Sequence, residues 1–236
     1  MWIFNRRQTL ADSGVLRGFT DWHSHILPGV DDGVPTMGEA LATLARYESL
    51  GVRSVWLTPH VMEDMPNTTA SLKERYSELD AAYQGSIRLS LAAEYMLDNL
   101  FRERLRGGDL LPLGEKADSL LVETSYFNPP IGLRDMLAGI RSAGLFPVLA
   151  HPERYAYMAE GDYGILKDDG VRFQLNLLSL AGAYGREART RAEWMLKKGY
   201  YEVVGTDLHR DITRMRLTRR ETVGMGSAVA ALSRGL

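Results

Sequence analysis

Residues 19–25 read Phe-Thr-Asp-Trp-His-Ser-His, a short β-type run that ends in two histidines. Thr36-Met37-Gly38-Glu39 then has the pattern of a capping box, and the apolar positions after it are spaced as on one face of a helix. Gly51 ends that helix, and residues 52–57 form the next predicted strand. This part of the chain therefore predicts a strand–helix–strand unit with histidines at the end of its first strand.

The same alternation continues almost to the end of the chain. Further strands are predicted at residues 87–92, 120–122, 146–150, 171–175 and 201–204, and helices at residues 71–83, 133–143 and 188–198. About seven strand–helix units in one chain of this size fit a barrel related to the (β/α)₈ type better than an open sheet. No linker or repeat interrupts the series, so we expect a single domain.

Composition limits the classes of protein to which the chain can belong. The 236 residues carry a formal net charge of −2, and 45% of them are hydrophobic, as is ordinary for a globular protein. That charge gives no electrostatic reason to expect a nucleic-acid partner. The sequence has no cysteine, which excludes disulfides, thiolate metal ligands and the thiol route to phosphotyrosine hydrolysis.

The N-terminal residues resemble neither a secretory signal nor a membrane span. Residues 1–7, Met-Trp-Ile-Phe-Asn-Arg-Arg, lack the apolar core of about 7–15 residues that a signal peptide has. No stretch approaches the roughly 20 apolar residues that cross a bilayer. We expect a cytoplasmic protein whose first residues pack on the domain as a strand or arm, with a weak membrane-surface contact as the alternative.

Every histidine stands beside a second potential metal ligand or an abrupt turn. His23 and His25 are two residues apart on an extended run, so their imidazoles point the same way, and Asp207 and His209 repeat this spacing. The carboxyl ends of parallel barrel strands share one face, so side chains that follow the strands should converge there. The candidates that stand at or just past a predicted strand end are His23, His60, Glu94, Glu123, His151 and Asp207.

Each of these residues also has an ordinary structural interpretation. A single histidine at a strand end is more often a hydrogen-bonding residue than a ligand, and a glutamate there usually reaches solvent. Asp31 and Asp32, in a loop that can fold a carboxylate over the site, could simply shape a turn. However, no histidine is left over for the ordinary roles. We therefore interpret the set as one polynuclear metal site, which indicates a hydrolase.

The motifs together resemble the polymerase-and-histidinol-phosphatase superfamily. Residues 23–33, His-Ser-His-Ile-Leu-Pro-Gly-Val-Asp-Asp-Gly, are similar to its branch of bacterial manganese-dependent tyrosine phosphatases of capsule and exopolysaccharide loci. Thr58-Pro59-His60, Ala93-Glu94-Tyr95 and residues 151–155 extend the resemblance, which covers about residues 19–214. It implies a distorted (β/α)7 TIM-like barrel, with residues 1–18 as an N-terminal extension and residues 19–236 as the metallophosphatase domain.

The resemblance also implies three divalent metal ions, with manganese expected and iron or zinc as alternatives. The first ion would be held by His23, His25, Glu94 and Asp207. The second would be held by Glu94 as a bridge, Glu123 and His151, and the third by Asp32, His60 and His209. A hydroxide activated by these metals would attack phosphorus in line, without a covalent enzyme intermediate.

Two arginines are predicted to bind the phosphate. Arg154 follows His151 by three residues, and a guanidinium can grip two oxygens at once. An ion pair of Arg154 with Glu153 or Glu160 is the competing interpretation. Arg214 is implied as the second arginine by its spacing from His209, with Arg210 as the alternative. No general acid is assigned, since a metal-bound water suffices for a phenolate leaving group.

The resemblance implies a protein-tyrosine phosphatase. Its substrate would be a phosphotyrosine-bearing protein, namely the tyrosine-rich C-terminal tail of a membrane-associated bacterial tyrosine kinase that controls polysaccharide export. Aromatic residues that could line the substrate pocket are Trp22, Tyr95, Tyr126, Phe127 and Tyr155. The alternatives are a small-molecule phosphomonoesterase such as histidinol-phosphate phosphatase, a non-catalytic metal-binding module, and a phosphodiesterase or exonuclease. A basic groove would favour a phosphodiesterase or exonuclease, but the net charge of −2 does not indicate such a groove.

Overall fold

The structure, a computed structural model, describes residues 7–232 and 235–236, along which strands alternate with helices. The strands are β1 (Gln8–Thr9), β2 (Thr20–Ser24), β3 (Ser54–Leu57), β4 (His60–Val61), β5 (Arg88–Leu91), β6 (Glu94–Met96), β7 (Ser119–Glu123), β8 (Phe146–Ala150), β9 (Arg172–Asn176), β10 (Val203–Gly205) and β11 (Arg216–Leu217). The helices are α1 (Leu10–Ser13), α2 (Met37–Ser49), α3 (Thr69–Ala82), α4 (Asn99–Gly107), α5 (Leu133–Ser142), α6 (Glu160–Asp168), α7 (Leu177–Leu180), α8 (Gly185–Lys198) and α9 (Arg219–Ala231). A 3₁₀ turn covers Pro152–Arg154.

Parallel strands β2 to β10 form a ring with two short breaks. β2, β3 and β5 pair side by side, and β4, β6, β7, β8, β9 and β10 pair as a second series. β4 continues β3 after one break, and β6 continues β5 after the other. Glu94 N–H donates to the Pro59 carbonyl at 3.0 Å, and this hydrogen bond joins the two lines of strand at the breaks. The ring closes between β10 and β2, where His25 N–H donates to the Leu208 carbonyl at 3.0 Å. The predicted distorted (β/α)7 barrel is therefore confirmed, and the two breaks are part of its distortion.

Apolar side chains from six strand positions meet inside this ring. Trp22 and Trp56 stack with ring centroids 5.6 Å apart and an interplanar angle of 12°. The residues packed with them are Ala92, Leu113, Leu121, Val148, Ala150, Val203 and Leu236. Because side chains alternate along a strand, the next inward-facing layer lies above these residues, towards the carboxyl ends of the strands. Glu94 and Glu123 follow this alternation, each two residues after an apolar residue of the lower layer. His23 and His151 instead come directly after Trp22 and Ala150, and the pairing of β2 with β3 shifts register between Asp21 and Ser24.

The helices bury one face each against the outside of the ring. Helix α2 begins after Thr36, whose hydroxyl accepts a hydrogen bond from Glu39 N–H at 3.2 Å, so its start lies where the capping pattern predicted it. Ala40, Leu44 and Tyr47 form its buried face, with the i, i+4 spacing of an amphipathic helix. This layer completes the main hydrophobic core.

The described part of the predicted N-terminal extension packs on the domain. β1 pairs antiparallel with β11, and Leu10 in α1 is buried at 1% exposure. Residues 1–6 of the extension lie outside the described residues. Among the helices of the described chain, none is both long and apolar enough to cross a membrane.

Candidate metal centre

Metal-ligand candidates from the whole length of the chain meet at one end of the ring. The nine predicted side chains that the structure brings together are His23, His25, Asp32, His60, Glu94, Glu123, His151, Asp207 and His209. Eight of them stand on a strand or within four residues after β2, β8 or β10, whereas Asp32 lies in the loop between β2 and α2. All of them are buried except His209, which is partly exposed, and Asp32, which is exposed. Convergence of the strand ends thus assembles the cluster except for Asp32, which the loop after β2 supplies.

The ligand atoms form three groups, within each of which they lie no more than 4.8 Å apart. The inner group consists of His23, His25, Glu94 and Asp207, which is the first set implied by the resemblance. The outer group consists of His25, Asp32, His60 and His209, and a third group consists of His60, Glu94 and Glu123. His151 stands beside the third group, with its Nε2 3.2 Å from Glu94 Oε1 and 3.9 Å from Glu123 Oε2.

Neighbouring acceptors orient three of the imidazoles. The Nδ1 of His25 lies 2.8 Å from the Asp31 carboxylate, and the Nδ1 of His23 lies 3.0 Å from the Gln174 amide oxygen. The Nδ1 of His209 likewise lies 3.0 Å from a backbone carbonyl oxygen. An Nδ1 that donates to an oxygen leaves the Nε2 lone pair free, and metal-bound histidines usually have this arrangement.

Sequence reasoning missed the orienting roles of Asp31 and Gln174. The sequence indicates that the loop of Asp31 and Asp32 either folds a carboxylate over the site or shapes a turn, but it does not indicate a histidine partner. In the structure the Asp31 side chain is buried and also accepts the His60 N–H at 3.0 Å. The Gln174 amide oxygen also accepts the His151 N–H at 3.1 Å. The signal for Gln174 was weak, because it is only a neutral polar residue near the carboxyl end of a predicted strand.

Several buried polar atoms of the cluster have no hydrogen-bond partner among the residues that the structure describes. Both carboxylate oxygens of Glu94 and one of Glu123 belong to this set. Imidazole nitrogens of His23 and His151 lie 3.1 and 3.2 Å from Glu94, but these contacts do not have hydrogen-bond geometry. A buried carboxylate is costly unless a cation or hydrogen bonds compensate its charge. Imidazole nitrogens mixed with carboxylate oxygens suit divalent transition metals, so these residues fit metal ions.

The charges of the cluster shift the pKa values of its members. Burial lowers the pKa of His23, but the carboxylates of Glu94 and Asp207 outweigh burial and raise it to about 9. Burial raises the pKa of Glu94, but the surrounding imidazoles, His23 first, outweigh burial and hold it well below its usual range. Protons and divalent cations therefore compete for the same positions.

The backbone is constrained at three points around the centre. His151 has φ 34° and ψ 49°, and Asp207 has φ 52°, both in the left-handed region. A non-glycine residue there costs about 1–2 kcal/mol, which the surrounding structure has to offset. Gly205 allows β10 to approach β2, because a Cβ on Gly205 would lie 2.4 Å from the His23 Cβ. These ligand candidates are thus held by main-chain geometry as well as by packing.

A cavity of ≈ 420 Å³ opens beside the outer group. Its wall includes Asp32, His60, Asp207 and His209 from the cluster, the cations Arg154 and Arg210, and Tyr126, Leu178, Tyr184 and Ile212. A second depression of ≈ 580 Å³ shares Asp32, His209, Arg210 and Asp211 with it and continues along α2. The cluster therefore faces a space that can hold a small organic group.

Arg154 lies in this cavity wall between two tyrosine rings. Its guanidinium carbon lies 4.4 Å from the ring centroid of Tyr126 and 4.0 Å from that of Tyr184. Its Nη1 donates to Asp207 Oδ2 at 2.7 Å. Cation–π contacts and a charge-assisted hydrogen bond thus hold one guanidinium beside the metal-ligand cluster. No sequence motif marks Tyr184, and sequence reasoning did not name it.

Glu153, the competing ion-pair partner of Arg154, has other partners in the structure. Its carboxylate is buried and accepts hydrogen bonds from the Ser179 hydroxyl at 2.7 Å and the Tyr201 hydroxyl at 3.0 Å. Within residues 7–232, no ion pair joins Arg154 to Glu153 or to Glu160. The arginine is therefore directed to the cavity by other contacts.

The two arginines considered as a second phosphate ligand have different positions. Arg210 lines both cavities, next to His209. Arg214 is exposed, affects the pKa of Asp211, and is not among the residues that line either cavity. The structure thus brings Arg210, and not Arg214, to the cavity wall.

One of the five aromatic residues considered for the substrate pocket lines the cavity, namely Tyr126. The other four do not, and they are Trp22, Tyr95, Phe127 and Tyr155. Three of these are buried core residues, whereas Phe127 is 75% exposed on the surface. Proximity in sequence to a ligand motif therefore predicted the pocket wall poorly.

Comparisons with known proteins agree with this architecture. A family model described as capsular polysaccharide synthesis, CpsB/CapC, matches residues 19–221. The chain is 25% identical over 200 residues to tyrosine-protein phosphatase YwqE of Bacillus subtilis, covering 82% of this chain and 78% of that protein. It is 29% identical over 205 residues to tyrosine-protein phosphatase CpsB of Streptococcus pneumoniae, covering 80% of this chain and 82% of that protein.

A solved structure has the same fold. It comes from crystal structures of YwqE from Bacillus subtilis and CpsB from Streptococcus pneumoniae, described as unique metal-dependent tyrosine phosphatases. Its TM-score is 0.76 at 23% sequence identity, over 91% of this chain and 86% of that chain. This likeness supports the distorted barrel.

Proposed function

The chain belongs to the CpsB/CapC family of capsular polysaccharide synthesis proteins, and on this basis we propose that it is a metal-dependent protein-tyrosine phosphatase. Its curated relatives in Bacillus subtilis and Streptococcus pneumoniae are named tyrosine-protein phosphatases. One observation carries the proposal for this chain: a cavity with an oriented arginine and an aromatic wall opens directly on a cluster of imidazoles and carboxylates. That combination suits a phosphate ester of an aromatic alcohol.

The proposed cofactor is a set of three divalent ions, with manganese expected and iron or zinc accepted by the same donors. The proposed ligands are His23, His25, Glu94 and Asp207 for the first ion, Glu94, Glu123 and His151 for the second, and Asp32, His60 and His209 for the third. When bound, such ions supply positive charge against the phosphoryl oxygens and a water that ionises near neutral pH. The unpartnered oxygens of Glu94 support this assignment.

The proposed role of Arg154 is to hold the phosphoryl oxygens in place. The rings of Tyr126 and Tyr184 already restrict its guanidinium, so little side-chain freedom is lost when a phosphate binds. The planar guanidinium can donate to two oxygens at once, which orients the phosphorus for in-line attack. Its bond to Asp207 keeps the same group next to the inner group of ligands.

The apolar part of the cavity wall supports phosphotyrosine as the substrate. Tyr126, Leu178, Tyr184 and Ile212 offer surface to a phenyl ring. A phosphoserine would bring only a methylene group to the same surface, so it would lose most of that contact. The pocket should therefore favour phosphotyrosine over phosphoserine, because the phenyl group offers more apolar surface to the wall.

The proposed partner is a phosphotyrosine-bearing protein. Because the family is described by capsular polysaccharide synthesis, the proposed substrate is the C-terminal tail of a membrane-associated bacterial tyrosine kinase that regulates capsule or exopolysaccharide production. A cytoplasmic site of action belongs to the same proposal, since such a kinase takes its ATP from the cytoplasm.

Phosphate release by metal-stripped protein, before and after addition of manganese, tests the proposal. A phosphotyrosyl peptide, a phosphoseryl peptide and histidinol phosphate would be compared at equal concentration. We expect manganese-dependent release from the phosphotyrosyl peptide, with the other two much slower. Faster release from histidinol phosphate would move the chain to small-molecule phosphatases. Metal binding without release from any of the three would contradict a monoester phosphatase.

A further inference from the structure

Residues 8–13, named here the N-terminal strap, pack against the chain that follows His209. In this strap, β1 pairs antiparallel with β11, and helix α1 follows directly. The family model begins at residue 19, so the strap lies outside the part of the chain that the family model matches.

Two main-chain hydrogen bonds join the strap to residues 206–215, named here the β10–β11 loop. Leu10 N–H donates to the Met215 carbonyl at 2.8 Å, and Ala11 N–H donates to the Thr213 carbonyl at 3.1 Å. The Leu10 side chain is 1% exposed, so the strap is itself anchored in the hydrophobic core. The distal end of the β10–β11 loop is thus attached to a buried element.

The proximal end of the same loop is attached to the ring. Leu208 accepts a hydrogen bond from His25 N–H at 3.0 Å through its carbonyl. His209 lies between this attachment and the strap, and its Nε2 is 3.3 Å from Asp32 Oδ1 in the outer group. The position of the His209 imidazole therefore depends on both ends of the loop being held.

The outer group depends on such attachments more than the inner group does. All four residues of the inner group are buried, whereas the side chains of His209 and Asp32 are 27% and 62% exposed. A ligand enclosed by packing keeps its place without a loop anchor. A partly exposed ligand on a loop keeps its place through the hydrogen bonds that hold the loop.

We infer that the N-terminal strap is a positioning segment for His209 and that it sets the affinity of the outer group for its metal ion. The metal part of this inference rests on the proposed function. The attachment of the β10–β11 loop to the strap does not rest on the proposed function, and it can be measured in protein without metal.

Two pairs of variants test the inference. Deletion of residues 1–13 removes the strap, and deletion of residues 1–6 is its matched control. Leu10→Pro removes the N–H that binds Met215 at a first helical position, where proline is tolerated. Leu10→Ala is its control, because it also loses the buried side chain but keeps the N–H. If the longer deletion does not fold, the point variants decide.

Hydrogen exchange in metal-stripped protein measures the attachment. We expect exchange in residues 207–217 to rise at least about tenfold in the strap variants relative to their controls, with β7 and β8 unchanged. Unchanged exchange in the loop would overturn the inference. A rise over the whole barrel would also overturn it, because the strap would then serve only general stability.

The number of manganese ions bound per chain measures whether the strap affects metal binding by the outer group. The strap variants should lose one ion, His209→Ala should lose the same ion, and the two changes combined should lose no more than either alone. Loss of all ions in the strap variants would overturn the inference. If the unmodified protein binds neither manganese, iron nor zinc, the proposed function fails and the metal part of the inference fails with it, while exchange still decides the attachment.

Discussion

The Nε2 atoms of His23 and His25 lie 3.1 Å apart inside the ring. The opposite nitrogen of each ring contacts an acceptor, the Gln174 amide oxygen for His23 and the Asp31 carboxylate for His25. If each Nδ1 donates, both Nε2 lone pairs point into the same space. Two lone pairs approach this closely only when a positive charge lies between them or beside them, and either a proton or a metal ion can provide it.

We expect the affinity for manganese to rise with pH between about pH 7 and pH 9. The carboxylates around His23 outweigh its burial and raise its pKa to about 9, so below that pH its ring holds a proton that the metal must displace. One displaced proton makes the affinity about tenfold higher per pH unit. Calorimetric titration at three pH values, in two buffers of different ionisation enthalpy, measures both the affinity and the protons released. A pH-independent affinity would contradict the prediction.

Replacing Gln174 should weaken metal binding without altering the fold. Gln174→Leu keeps the side-chain size but removes the acceptor shared by the His23 ring and the His151 N–H, so the affinity should fall about 10–100-fold. Gln174→Glu keeps an acceptor oxygen and is the matched control. A manganese titration measures the affinity of both variants, and circular dichroism checks that their fold is unchanged. Equal manganese affinities for the two variants would rule out the orienting role of Gln174.

Gly205→Ala should destabilise the protein and disturb the inner group. The added Cβ would lie 2.4 Å from the His23 Cβ and 2.6 Å from its backbone nitrogen, so β2 and β10 must separate. We expect a loss of about 1–3 kcal/mol in the free energy of unfolding. Gly226→Ala in α9 is the control, since nothing lies within 4 Å of its added Cβ and a helical alanine gains up to about 1 kcal/mol. Urea unfolding of both variants tests the contrast.

Arg210 and Arg214 should differ in their effect on catalysis. Arg210→Ala removes a charge from the cavity wall and should lower kcat/KM for a phosphotyrosyl peptide about 10–100-fold. Arg214→Ala changes an exposed residue away from the cavity and should alter it by less than about threefold. A larger loss for Arg214→Ala than for Arg210→Ala would instead favour Arg214, which the spacing after His209 predicts.

The barrel was predictable because its signals are local and repeated. Each predicted strand is a short run with apolar β-type residues, and most ligand motifs follow strand ends, where a parallel barrel brings them together. The family resemblance of residues 23–33 is likewise confirmed by the family model that matches residues 19–221. The two breaks in the ring were not predicted. Thr58-Pro59 separates β3 from β4 and Ala92-Ala93 separates β5 from β6, but neither dipeptide changes the apolar pattern of the sequence.

The contacts around the ligands were less predictable because they join residues far apart in sequence. Gln174 is 151 residues from His23, and no spacing rule connects an amide in one strand with an imidazole in another. Tyr184 is 30 residues beyond Arg154, in a segment without a recognisable motif. Such partners depend on the register between neighbouring strands, which the pattern of apolar residues does not specify beyond inward and outward faces.

The stacked pair of Trp22 and Trp56 gives the molecule an internal optical reporter. Two indoles 5.6 Å apart and nearly parallel couple their electronic transitions, so they should contribute a paired band to the far-ultraviolet circular dichroism spectrum. Because one indole stands on β2 and the other on β3, the band would survive only while these two strands keep their register. Local opening of the barrel could then be followed by spectroscopy, without a label and separately from the catalytic end.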